Sequence, residues 1–72
     1  MIRVAEDTFG HVRKGMSVHV RPYPGAGTLT LKVIKIAHTT DGIKLLLQGH
    51  GWVHIDTHGV CDSFDSDVLV ED

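Results

Sequence analysis

Between Gly49 and Gly59 the chain sets His50, Trp52, His54, Asp56 and His58 on even positions, with Val53 and Ile55 between them. Imidazoles and carboxylates carry acid–base and metal-ligating chemistry, and an indole supplies a broad apolar surface with one N–H donor. Successive side chains of a strand point to opposite faces, so this spacing puts the only Trp beside three of the six His. That face is the expected partner or ligand site, with Trp52, His50 and His54 at its centre. Gly49 and Gly51 would let a partner approach the backbone closely. Tyr23, between Pro22 and Pro24, is a further candidate contact, expected on a loop with its hydroxyl in water.

A metal is the first chemistry to test against this spacing. Zinc ligands lie about 2.0–2.1 Å from the ion, whereas strand residues two apart are roughly 6.6 Å apart and residues four apart about 13 Å. His54, Asp56 and His58 can therefore supply at most two ligands from one strand. The remainder would come from His38, Cys61 or a second chain. A polar outer face with unliganded His is the simpler reading, and no resident metal or cofactor is expected.

Nucleophilic catalysis by Cys61 is the second. His58 as base and Asp56 or Asp62 as orienting group would form a triad-like set. However, an acidic neighbourhood raises a thiol pKa, and so short a chain cannot wall a deep cleft. Cys61 is expected as a small buried residue, and enzymatic activity is not expected. Other signatures fail. Gly49-His50-Gly51 begins a dinucleotide loop, but His54 stands where its last Gly belongs. Asp65-Ser66-Asp67 opens like a calcium loop, but Val70 occupies the turn-glycine position.

The elements that must position these residues are strands. Met16, Val18 and Val20 alternate with Ser17, His19 and Arg21, and the run closes in Pro22, Pro24, Gly25 and Gly27. From Thr28 to Thr39 the apolar positions begin odd (Leu29, Leu31, Val33) and turn even (Ile34, Ile36), which requires a bulge or bend near Val33. Asp41-Gly42 predicts a hairpin. A turn over Gln48 to Gly51 leads into a strand over Trp52 to Thr57, ended by Gly59. Cys61, Phe64 and Val68 stand at helical spacing, so a turn of helix capped by Asp62 or Ser63 is expected before a last strand over Val68 to Val70. With Val53 and Ile55 inward, Trp52 projects outward. A bulge at Gly51 would instead make it core filling, alongside the expected core plugs Phe9 and Phe64.

Seventy-two residues make one domain with a thin core. Residues 1–13 read as an extension or edge segment and residues 14–71 as the folded core. Residues 1–44 hold all seven Lys and Arg against Glu6, Asp7 and Asp41, a charge of +4. Residues 45–72 hold six acids and no Lys or Arg, a charge of −6. That split suggests self-association, as a dimer or higher oligomer. It gives no clustered cations for phosphate contacts after Lys44, so nucleic acid is not expected as a partner. The lone cysteine, the absence of Asn and the lack of a signal-like or membrane-spanning apolar run suggest a cytoplasmic protein.

Five short strands, a Pro-Gly loop after the first, a bent second strand and the Lys14-Gly15-Met16 entry resemble an SH3-like small β-barrel of the bacterial SH3, KOW or Tudor type. The likeness is one of architecture and covers Lys14 to Glu71. It implies an all-β fold of antiparallel strands and a binding role. The chain departs from these modules in having too few aromatics for a proline groove or a methyl-lysine cage and too little basic charge for a KOW-type nucleic-acid binder. The expected function is accordingly a non-enzymatic module recognising or inhibiting a protein partner, of a kind that suits a phage or mobile-element accessory protein. The alternatives are a small-molecule, nucleotide or catalytic site lined by His and Trp where copies meet, and a metal module using His54, Asp56 or His58.

Overall fold

The protein is all-β. A computed structural model describes Met1 to Glu71, and Asp72 lies outside the described residues. Six strands, β1 (Ile2–Arg3), β2 (Ser17–Val20), β3 (Leu29–Thr39), β4 (Gly42–Leu47), β5 (Gly51–Asp56) and β6 (Leu69–Val70), form one antiparallel sheet in the order β1-β6-β2-β3-β4-β5. Alternation builds the core: Val18 and Val20 from β2, Ile43, Leu45 and Leu47 from β4, and Val53 and Ile55 from β5 are all at most 2% exposed.

The long strand β3 carries the expected bulge. Its ladder steps from Val33 opposite Leu47 to Lys35 opposite Leu46, leaving Ile34 as the extra residue. The inward parity changes there, so Val33 before the bulge and Ile36 after it both reach the core. One strand thereby pairs with β2 through its first half and with β4 through its second.

A hairpin follows β3 as expected, but its loop sits one residue before the expected Asp41-Gly42. Thr39 pairs with Gly42, so Thr40 and Asp41 form the loop and Gly42 begins β4. Gly42 packs so closely on β5 that an added Cβ would collide with the Ile55 carbonyl oxygen and lie 2.9 Å from Asp56 Cα. The next turn, residues 48–50, links Leu47 to Gly51, with Gly49 at φ 79°.

Two further expectations need correction. There are six strands rather than five, because Ile2–Arg3 pairs with β6 in a stretch too short to show alternation. The turn of helix expected between Val60 and Asp67 is absent: this segment is a run of bends. Asp62 pairs along the edge of β5 instead of capping a helix, because its carboxylate accepts from the His54 N–H (3.0 Å) and its own N–H donates to the His54 carbonyl (3.1 Å). Cys61 bridges Ile55 in the same register. Phe64 and Val68 reach the core from this irregular path. A 3-10 helix forms instead at Glu6–His11, where Thr8 Oγ1 accepts from the Ala5 N–H and donates to the Arg3 carbonyl.

The sheet does not close into a barrel. Residues 3–6 meet the segment just after β5 through the Glu6 N–H to Thr57 carbonyl bond (3.1 Å) and the Arg3 guanidinium on the His58 carbonyl, and among the described residues no strand ladder joins β1 to β5. The basic and acidic halves interleave, since β6 lies between β1 and β2 and Arg3 pairs with Asp67 at 3.1 Å. Among the described residues no helix is long and apolar enough to cross a membrane.

Candidate functional site

Strand parity gives β3, β4 and β5 an outer face. Directly opposed residues share a face, so Ala37, Lys44 and His54 form one row across the three strands, and Lys35, Leu46 and Trp52 form the next. On this face lies a cleft of about 450 Å³ lined by Ala37, Lys44, Trp52, Val53, His54 and Asp62. Trp52 is its largest wall. The indole is 50% exposed while Val53 and Ile55 on either side are buried, as alternation requires. Among the described residues the indole makes no side-chain hydrogen bond and no ring contact.

His54 is the most heavily tied group of the cleft. Its Nε2 lies 3.3 Å from Asp41 Oδ1 and 3.5 Å from Thr39 Oγ1, both at the β3–β4 turn. Its backbone is held on both sides by Asp62. The Thr39 hydroxyl donates to Asp41 Oδ1 (3.0 Å). That bond, with the Asp41 N–H and His54 behind it, lowers the Asp41 pKa below the usual carboxylate value. The Asp62 pKa is lowered too, chiefly by the His54 N–H and then by the Ser63 hydroxyl. These carboxylates therefore brace the site from within. Lys44, opposite His54, and Lys35, opposite Leu46, make no ion pair or hydrogen bond among the described residues.

The remaining sequence candidates separate. His50 sits in the β4–β5 turn, outside β5, and packs its ring against buried Phe64 with centroids 4.8 Å apart and the planes tilted by 36°. His58 lies beyond the strand in the following turn. Asp56 accepts from the N–H groups of both His58 and Val60 at 2.9 Å, which commits its carboxylate to shaping that turn. Among the described residues no three His, Cys, Asp or Glu side chains gather to hold a metal ion. Tyr23 is 63% exposed on the β2–β3 loop and does not line the cleft. Cys61 is buried beside Ile55, and burial, reinforced by the Asp62 charge, raises its pKa, the opposite of what a nucleophile needs.

No family model, curated protein or solved structure matches this chain. The cleft's chemistry therefore rests on its own residues. Ala37, Lys35 and Lys44 were absent from the sequence candidates. The turn read from the sequence misses them: an Asp41-Gly42 loop would pair Thr40 with Ile43 and set Lys44 opposite Thr39, whereas the loop is Thr40-Asp41 and sets Lys44 opposite Ala37. In that shifted loop Asp41 lies within reach of Thr39 and His54. Asp62 carried no local signal, because its place depends on residues 60–62 folding back along β5.

Proposed function

We propose that this chain is a non-enzymatic binding module that docks a protein partner on the outer face of β3, β4 and β5. The observation that carries this reading is Trp52, a half-exposed indole on a rigid strand, forming the wall of a cleft and contributing nothing to the core. Aromatic anchors of this kind dominate binding energy at interfaces. An SH3-like likeness of architecture belongs to the same reading, supported by the antiparallel all-β fold with its bent β3 and by the entry at Lys14-Gly15-Met16. So does a cytoplasmic setting, supported by the lone, buried thiol of Cys61.

Capture from a host lysate on the immobilised chain tests the reading. Wild type and Val60→Ala, which alters an exposed apolar residue outside the cleft lining, should recover the same protein. Trp52→Ala should lose it. Equal recovery by all three would refute the assignment. A second reading draws on the cleft volume, which falls within the roughly 300–1,000 Å³ of small-molecule sites: a nucleotide-sized ligand enclosed where two copies meet. It predicts a dimer whose formation needs the ligand, and no captured protein.

A further inference from the structure

We infer that the partner presents an acidic, extended segment, its carboxylates on Lys35 and Lys44 and an apolar side chain on Leu46 and Trp52. This rests on the docking reading and names its chemistry. Lys35 faces Leu46, and Lys44 lies two residues from Leu46 on β4, so the two lysines are diagonal neighbours on one face. Such neighbours are roughly 7–8 Å apart, within reach of carboxylates two residues apart on one strand. Both are exposed, and neither is paired among the described residues. Two unneutralised ammonium groups beside an exposed indole and a half-buried Leu46 form a surface that an acidic segment with alternating apolar residues would complete.

The carboxylates of the site keep their charge but form no ion pair with either lysine among the described residues, so they confine an acidic segment's carboxylates to the Lys35–Lys44 diagonal. Asp41 is engaged by Thr39 and His54 at the hairpin end, and Asp62 by the His54 N–H and the Ser63 hydroxyl beyond β5. They also favour peptide over nucleic acid. A single strand of nucleic acid carries a phosphate at every nucleotide and would run its charge past Asp41 and Asp62. A peptide places its carboxylates only where the lysines are. A second copy's acidic stretch around Asp65 offers similar charge, through a reciprocal dimer if both patches share one interface and through rings or open filaments if they do not. A separate partner needs no such assembly.

The chain's single Trp makes its fluorescence a reporter of the site. The probes are a short peptide alternating Glu with Leu, its Gln-for-Glu isostere, and a short oligothymidylate. The acidic peptide should change Trp52 emission at the lowest concentration. The Lys35→Glu, Lys44→Glu double variant should weaken it about tenfold, with its melting temperature kept. Added salt should weaken the acidic peptide and leave the isostere unchanged. Equal affinity for the isostere, tighter binding of the oligothymidylate, no response to any probe, or a wild-type oligomer that dissolves in the double variant would each overturn the inference. The docking reading fails separately, if Trp52→Ala still recovers the lysate partner.

Discussion

His54 Nε2 lies 3.3 Å from Asp41 Oδ1, tying the middle of β5 to the turn between β3 and β4. With Asp62 on the backbone of the same histidine, two carboxylates fix one wall of the cleft. Both have pKa values lowered from 3.8 by the hydrogen bonds they accept. A carboxyl with a lowered folded pKa contributes stability above its unfolded pKa and loses it as pH falls through the folded value. Acid melting curves should therefore show Tm falling below about pH 4. Asp62→Asn should flatten that fall. An identical slope for wild type and variant would remove Asp62 from the account.

Gly42 is required by space. A methyl group there meets the backbone of Ile55 and Asp56, which cannot swing aside as a side chain could. Gly42→Ala should cost about 2 kcal/mol, or roughly 8–16 °C in Tm for a domain of this size. Gly49→Ala, at a turn with nothing within 4 Å, should cost about half as much, from its positive φ alone. A Gly42→Ala protein that melts like wild type would contradict the packing of β4 on β5.

Asp56 serves the turn after β5. Asp56→Ala frees the N–H groups of His58 and Val60 to solvent and should cost about 1 kcal/mol. Zinc added in excess should leave the wild-type Tm unchanged. A rise of several degrees with zinc, abolished by Asp56→Ala, would show that the carboxylate binds an ion.

Trp52 and Ile55 should respond oppositely to truncation. Ile55 is fully buried, and Ile55→Ala should cost about 2–5 kcal/mol, enough to unfold so small a domain. Trp52→Ala should stay within about 0.5 kcal/mol of wild type. Unfolding of the Trp52 variant would make the indole a core residue.

The bulge at Ile34 and the presence of a hairpin after β3 were legible because apolar parity and turn chemistry are local signals, although the Asp41-Gly42 signal misplaces the loop by one residue. Trp52 and His54 were legible for the same reason. Extrapolating that parity to His50 and His58 fails, since β5 runs only from Gly51 to Asp56 and alternation stops with the strand. Cys61, Phe64 and Val68 mimicked a helix because irregular chain can also return to the core every three or four residues. Nothing local distinguishes that path from a helix; Asp62 decides it, by finding His54.

The most direct test of the central claim replaces Trp52 with 5-fluorotryptophan and follows its single fluorine resonance. The account predicts a solvent-accessible signal in the free protein that shifts or broadens when the captured partner is added. A resonance that stays unchanged while the complex forms, as judged by size, would place the partner elsewhere and contradict the account.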